Sequence, residues 1–264
     1  MSTILDDIIR QKEIEVAQLQ ELILTEQRTI PIRSFKEQLN SGHMNIISEI
    51  KRASPSKGTI RAEVDPVAQA KKYEALGASA ISVLTDEKFF KGSMDDLRQV
   101  ANAVQLPILC KDFMIDKIQI DVAKRAGASI ILLIVAALSE TQLKELYAYA
   151  KAEGLEVLVE THDEAEMEQA LALGADVIGV NNRNLKTFDV DLNTTGRLAS
   201  LTAGRGVTLV SESGIRTQED VEQVEQLGAS VILVGETLMR SDDLPATFKA
   251  LQVPFRTKKD APTC

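Results

Sequence analysis

Lysines and carboxylates recur at the ends of β-rich apolar runs, where a buried strand would open onto a polar face. Asn45–Lys51 (NIISEIK) ends on Glu49 and Lys51, Pro107–Lys111 (PILCK) on Lys111, and Glu156–Glu160 on Glu160. Val177–Asn181 ends on Asn181, with Arg183 two residues on, and Thr208–Ser211 runs into Glu212, Ser213 and Gly214. A carboxylate or ammonium at such a position costs free energy unless it is paired or hydrated. Repetition along one chain points to a single convergent polar site on a rigid sheet. Ammonium groups and carboxylates crowded there shift each other's proton affinities, the raw material of acid–base chemistry.

The elements that position these residues follow from a repeat. LGASAI (Leu76–Ile81), AGASII (Ala126–Ile131), LGADVI (Leu173–Ile178) and LGASVI (Leu227–Ile232) place glycines at Gly77, Gly127, Gly174 and Gly228. Each copy follows a helical stretch and precedes a β-rich run, with glycine supplying the left-handed turn that ends a helix. The intervals of 50, 47 and 54 residues each hold two βα units of roughly 25–30 residues. Ala80–Leu84, Ser129–Ile134 and Ser230–Val234 complete eight strands. Amphipathic helices are expected at Pro66–Leu76, Glu140–Glu153, Asp163–Leu173 and Gln218–Leu227. Strict alternation implies a parallel sheet. Eight units favour one closed (β/α)8 TIM barrel of the α/β class. No GxGxxG follows the first strand, against a dinucleotide-binding fold.

The 264 residues read as one domain. Residues 1–44 form an N-terminal extension with a helix over Ile4–Gln27 that offers Ile4, Ile8, Leu19 and Leu22 for packing. Residues 254–264 are a polar tail expected to be disordered. A net charge of −9 disfavours nucleic-acid and membrane-surface partners. No apolar run reaches transmembrane length, and Met1–Gln27 lacks the apolar core of a signal peptide. The two cysteines, Cys110 and Cys264, suggest neither zinc site nor disulfide framework, which fits a reducing cytoplasm. No large apolar patch is marked, so a monomer is expected.

Active sites of this barrel lie at the carboxyl ends of the strands. Glu49 and Lys51 share one strand face and are expected to point toward the barrel axis. The loops after the seventh and eighth strands read Glu212-Ser213-Gly214-Ile215 and Gly235-Glu236-Thr237. In those positions backbone N–H groups commonly bind phosphate, and glycine lets the backbone approach closely. The Arg52–Gly58 loop adds hydroxyls, including Ser54, and positive charge. Metal binding looks poor: Glu160 and His162 are too few ligands, and His43 lies at the far end of the first strand. His162 reads as a helix-start residue or a pocket wall.

These residues, in this order, resemble the indole-3-glycerol phosphate synthase family. The likeness rests on SEIKRASPSKG (Ser48–Gly58), SVLTDEKFFKGS (Ser82–Ser93), LCKDFMID (Leu109–Asp116), VETHDEAE (Val159–Glu166), IGVNNRNLKTFDVD (Ile178–Asp191), VSESGI (Val210–Ile215) and VGETLMR (Val234–Arg240). It spans essentially the whole chain. Thr161 and Thr237 stand where the family often has Val and Ser, and neither change removes a charge. The resemblance implies ring closure, decarboxylation and dehydration of 1-(2-carboxyphenylamino)-1-deoxyribulose 5-phosphate, in tryptophan biosynthesis, with no cofactor or metal. Lys111 is then the general acid on the ketone and Glu160 the base for dehydration. Lys51 holds the substrate anion or acts as a second acid. Glu49 and Glu212 orient the lysines, and Asn181 and Ser213 hydrogen-bond the reacting region. Arg183 anchors an anionic group or the loop, and Phe113 and Leu133 wall the aromatic ring. Ser54, Gly214, Gly235, Glu236 and Thr237 bind phosphate.

Two other readings remain in view. A phosphoribosyl isomerase on the same barrel typically uses a carboxylate pair or a Cys–Asp pair. Here the first strand ends in Glu-x-Lys, and Cys110 is expected on the face opposite Lys111. A non-catalytic phosphate-binding barrel would have little reason to gather Glu49, Lys51, Lys111 and Glu160.

Overall fold

The computed structural model describes residues 3–20 and 28–256. Eight parallel strands close on themselves: β1 (Asn45–Ile50), β2 (Ala80–Leu84), β3 (Ile108–Lys111), β4 (Ile130–Ile134), β5 (Glu156–Thr161), β6 (Val177–Asn181), β7 (Thr208–Glu212) and β8 (Val231–Val234). Each pairs with its sequence neighbours, and β8 closes onto β1 with Asn45 opposite Val231. Helices fill the connections, so the fold is the expected (β/α)8 barrel. The repeated glycines do what their spacing implied: Gly77, Gly127, Gly174 and Gly228 have φ of 91°, 116°, 77° and 105°. At the other helix ends Asp65, Ser93, Asp116, Ser139, Asp163 and Thr217 accept backbone N–H groups as N-caps. Each such cap is worth about 1 kcal/mol.

The pleat sorts every strand into two faces. Ile47, Leu109, Leu158, Val177, Val210 and Leu233 belong to the cluster inside the barrel. Ile46, Cys110, Val157, Ile178, Leu209 and Ile232 belong to the layer between strands and helices. Two residues beyond the inner set lie Glu49, Lys111, Glu160 and Glu212, which therefore inherit the inward direction. At the opposite end Phe35, 1% exposed, packs against the inner cluster. It is fixed there by its N–H, which donates to Glu156 at the start of β5 (2.8 Å).

The N-terminal helix runs over Ile4–Gln20, and Leu22 lies outside the described residues. Ile8 and Val16 are buried as its apolar periodicity demands, and between them Lys12 is only 2% exposed. The Lys12 ammonium lies 2.9 Å from Asp86, 2.8 Å from Asp112 and 2.8 Å from Glu15. Burial alone would lower its pKa, but these carboxylates outweigh burial and raise it. Asp86 also caps the short helix Glu87–Phe90, and Asp112 accepts the Thr85 hydroxyl (2.6 Å). The helix is thus tied to the carboxyl ends of β2 and β3. Further along, the Arg28 guanidinium donates to the carbonyls of Ile30 (2.7 Å), Pro31 (2.9 Å), Lys124 (3.0 Å) and Gly127 (3.1 Å). That contact fixes the chain at the end of the helix Lys117–Ala126.

Pro254 and Phe255, counted from the sequence as part of the tail, are held against the barrel. Pro254 bridges His43, the Phe255 N–H donates to the Gly42 carbonyl (3.1 Å), and Phe255 packs on the outer core. The chain entering β1 offers an open backbone edge and an apolar surface, and these residues cover both. Residues 257–264 lie outside the described residues.

Lys12→Met leaves the Asp86 and Asp112 carboxylates buried beside an apolar group. Removing one partner of a buried ion pair costs about 3–5 kcal/mol. The expected outcome is a lower urea midpoint, with partial recovery in Lys12→Met/Asp112→Asn. An unchanged midpoint would mean that the helix is held by its apolar face alone.

Candidate active site

A cavity of about 790 Å³ opens at the carboxyl ends of the strands. Its floor is built by the inward register just described. The Lys111 ammonium, on β3, sits 2.6 Å from Glu212 on β7 and 3.1 Å from Glu160 on β5. Beside them Glu49 and Lys51 pair at 2.5 Å. From β6 the Asn181 amide donates to Glu160 (3.2 Å), and its carbonyl oxygen accepts the Arg183 N–H (3.1 Å). The five polar strand ends therefore do converge.

Electrostatics separates these groups. Burial would lower Lys111, but Glu212, Glu160 and Glu49 outweigh it and hold the ammonium well above the ordinary lysine range. Burial raises Glu160, yet Lys111 and His162 outweigh that and keep its carboxyl well below the usual range. Glu212 moves the other way: burial and the charges of Glu160 and Glu49 raise it, and Lys111 only partly opposes them. Two carboxylates around one ammonium cannot both be fully compensated, so their proton affinities are driven apart.

The walls are apolar. Phe113 lines the cavity and meets Phe90 with ring centroids 5.9 Å apart. Leu132, Ile134 and Leu233 also line it, and the N-terminal helix adds Ile4, Leu5 and Ile8. Leu133, expected as a wall, points the other way. It is fully buried in the outer layer, because one step along a strand reverses the side chain. Its neighbours Leu132 and Ile134 hold the position assigned to it.

Ser54, Ser213, Gly214, Gly235, Glu236 and Thr237 line one end of the cavity with Lys57 and Arg240. Ser213 (φ 65°) and Gly214 (φ 92°) are successive left-handed residues, which curl the loop after β7. A Cβ at Gly214 would strike Val190, and one at Gly235 would strike Glu49 and come within 3.2 Å of the Lys51 ammonium. The Thr237 hydroxyl donates to the Ile215 carbonyl (2.6 Å), so it ties the two loops together instead of pointing a free O–H at a ligand. Glu236 is flanked by Arg240 (3.2 Å) and Lys57 (3.8 Å). Arg183 lines the cavity and donates to the Phe188 carbonyl (3.0 Å), which braces its own loop.

Several contributors escaped the sequence reading. Asn182 is 3% exposed; its amide donates to the Ser211 hydroxyl (2.9 Å) and to the carbonyls of Glu212 (3.0 Å) and Ser213 (3.2 Å). It fixes the loop that carries Ser213, and the only sequence signal was the Asn181-Asn182 pair. His162 is not a cavity wall. Its Nδ1 lies 2.9 Å from Glu166 and its Nε2 3.3 Å from Glu160. Burial opposes its charge, but the two carboxylates overcome burial and push its pKa up to about 10. Among the described residues no three His, Cys, Asp or Glu side chains are grouped to hold a metal ion.

A His whose pKa rises from 6.5 to about 10 on folding adds stability that is fully present below pH 6.5. That stability is lost as pH rises through about 10. The gap in melting temperature between the wild-type chain and His162→Gln is expected to narrow across that window. A gap independent of pH would mean that His162 is neutral in the fold.

The model of the indole-3-glycerol phosphate synthase family matches residues 5–251. An indole-3-glycerol phosphate synthase of Oceanobacillus iheyensis is 54% identical over 255 residues, covering 96% of this chain and 98% of that one. The same enzyme of Exiguobacterium sibiricum is 54% identical over 247 residues, covering 93% and 95%. Among solved structures, a mandelate oxidase with an FMN adduct superposes with a TM-score of 0.62 at 16% identity, covering 89% of this chain and 81% of that one. A 3-hexulose-6-phosphate synthase gives 0.59 at 16%, covering 79% and 98%. These two likenesses concern the barrel alone. The family match and the two bacterial relatives, spanning strands, loops and N-terminal helix alike, establish that this chain belongs to the indole-3-glycerol phosphate synthase family.

Proposed function

We propose that Lys111, Glu160 and Lys51, on the floor of the barrel, carry out the successive proton transfers of this family's reaction. The chain is a carbon–carbon lyase of tryptophan biosynthesis. It converts 1-(2-carboxyphenylamino)-1-deoxyribulose 5-phosphate into indole-3-glycerol phosphate, carbon dioxide and water. The observation that carries the assignment is the Lys111 ammonium, set between Glu160 and Glu212 and facing an apolar-walled cavity.

Lys111 donates a proton to the ketone oxygen while the carbonyl carbon bonds to the ring carbon that bears the carboxylate. Loss of carbon dioxide returns the electron pair to the ring. Dehydration then needs a second proton on the same oxygen and a base for the adjacent C–H. Glu160, held ionised by Lys111 and His162, is that base. Lys51 holds the substrate anion and is the alternative second acid. Glu49 and Glu212 orient the two lysines. Asn181 and Ser213 hydrogen-bond the reacting region, and Phe113, with Leu132 and Ile134, sandwiches the aromatic ring. Phosphate is held by the backbone at Gly214, Gly235, Glu236 and Thr237, aided by Ser54 and the nearby Lys57. Arg183 anchors the loop at the cavity mouth.

Among the described residues no helix is long and apolar enough to cross a membrane. We read the chain as a monomer of the reducing cytoplasm. Large exposed apolar side chains among the described residues are the scattered Ile14, Ile32 and Phe188, and Cys110 is buried as a free thiol.

The phosphate assignment separates two glycines. Gly214→Val displaces only the loop against Val190, so a raised KM at near-normal kcat is expected. Gly235→Val drives its side chain into Glu49 and Lys51, so both constants should suffer. Steady-state kinetics checks this, and an unchanged KM in both variants would move phosphate elsewhere.

The acid and the base should fail at different steps. Removing such a group costs about 10²–10⁴-fold in rate. Lys111→Ala is expected to release no carbon dioxide in a single turnover. Glu160→Gln is expected to release it ahead of the indole product. Near-wild-type turnover in both would sink the assignment. Normal carbon dioxide release from Lys111→Ala, lost instead in Lys51→Ala, would exchange the two lysines.

A further inference from the structure

The reaction consumes a proton. A substrate carboxylate leaves as neutral carbon dioxide, two protons go onto the departing oxygen, and one comes off carbon. The difference is made up from solvent in every turnover. Lys111 faces the same oxygen in both steps, so it has to be reloaded while substrate covers the cavity side of its ammonium. Its remaining neighbours are two carboxylates. Glu212 leads nowhere: its side chain is 2% exposed, and its second oxygen is buried without a hydrogen-bond partner. Glu160 leads outward.

We propose that His162, held by Glu166, is a proton relay: it stores the proton that reloads Lys111 by way of Glu160 while substrate covers the cavity. The proposal rests on the roles given above to Lys111 and Glu160. The groups stand in line: Glu166 to His162 Nδ1 at 2.9 Å, His162 Nε2 to Glu160 at 3.3 Å, and Glu160 to Lys111 at 3.1 Å. The last two contacts use different oxygens of Glu160, Oε1 toward His162 and Oε2 toward Lys111. A proton taken on Oε1 therefore reaches the amine when the carboxyl group turns about its Cγ–Cδ bond. Lys111 and Glu160 line the cavity, whereas His162 and Glu166 do not, so the line runs behind the wall and does not compete with substrate.

Glu166 holds the ring in place by also accepting the His162 backbone N–H (2.8 Å). At 3.3 Å the Nε2 faces Glu160 without an aligned hydrogen bond. Such contacts commonly tighten only once substrate is bound. The charged groups acting on the ring are Glu160 on β5 and Glu166 on the following helix; Lys111 on β3 acts through Glu160. Together the two carboxylates keep the ring protonated at neutral pH, so a proton is in store when Lys111 gives up its own.

The sequence of transfers balances. Lys111 protonates the ketone oxygen and becomes a neutral amine, which removes the charge that kept Glu160 acidic. The imidazolium passes its Nε2 proton to Glu160 Oε1. Glu160 turns its carboxyl group about the Cγ–Cδ bond and gives that proton to the amine, and the neutral imidazole keeps its Nδ1 proton against Glu166. Glu160, again ionised, is then free to accept the C–H proton, which it returns to His162 Nε2, and the one proton that the turnover consumes enters from solvent at Lys111 when product leaves the cavity.

The test follows carbon dioxide and indole product separately, by rapid quench, in His162→Gln. The expected result is carbon dioxide at the wild-type rate, indole product delayed about 10²-fold, and an unchanged KM. In His162→Gly, added imidazole is expected to relieve the delay. Equal slowing of both products would reduce His162 to a positioning residue and overturn the relay. Wild-type rates for both would overturn it too, because the second proton would then enter elsewhere, for example through Lys51. A delay in His162→Gly that imidazole leaves untouched also counts against it. Lys111→Ala and Glu160→Gln test the underlying assignment by other results, so the relay can fail while that assignment stands.

Discussion

The Lys111 ammonium, shared between Glu160 and Glu212, is the interaction around which the site is arranged. An ion in the neck of a barrel loses most of its hydration, and it is tolerated only where counter-charges replace the water. Two carboxylates over-compensate one lysine, and the excess is settled by neighbours. Glu160 is stabilised by His162 and Asn181, whereas Glu212 is left with one unpartnered oxygen packed against Gly179. The result is one strongly ionised carboxylate and one that holds its proton more tightly, a few ångströms apart. Acid–base work at neutral pH requires such a division, and here it arises from burial and geometry with no special residue type.

The same lysine strand is gripped from above. Asp112 follows Lys111 directly, and it is held by Lys12 of the N-terminal helix and by the Thr85 hydroxyl. That helix also supplies Ile4, Leu5 and Ile8 to the cavity. Roof and floor are therefore joined through one buried ion cluster. An extension outside the barrel repeat has become part of the wall because its lysine takes two carboxylates, at the ends of β2 and β3, that would otherwise be stranded.

How far this could be read from the sequence depends on the range of the forces involved. The strands and the glycine turns are local patterns of period and spacing, and they emerged within a residue of their places. The pleat gave the inward direction of Glu49 from the sequence, and the structure extends the same rule to Lys111, Glu160 and Glu212, each two positions beyond an inward apolar residue. Leu133, carried over from the resemblance, fell one residue off, and in the unbroken run Ile130–Ile134 no alternation marks the inner face that would have corrected it. The roles of Lys12 and Asn182 were missed, since their burial and their partners are decided by closure of the barrel. A lysine midway between Ile8 and Val16, on the apolar face of a helix, was the one available hint. Of the two readings of His162, the helix start holds, since it directly precedes the cap Asp163, and the pocket wall does not, because sequence carries no information about what lies behind a cavity.

The loops at the cavity mouth obey a constraint set by the floor. Gly235 follows Leu233 by two residues, so it continues the inward register of β8, and a side chain there would occupy the space of the Glu49 carboxylate and crowd the Lys51 ammonium. The loop that reads as the phosphate cradle therefore rests directly on the Glu49–Lys51 ion pair of the floor. The Thr237 hydroxyl bonds this loop to the one after β7, and the Asn182 amide bonds that second loop to the strand carrying Glu212. An anion drawn into the cradle presses on elements that are already in contact with Glu49, Lys51 and Glu212. Binding free energy from the unreactive end of a substrate can thus be used to hold the acid and base groups in register, which is how remote contacts raise a rate instead of merely tightening binding.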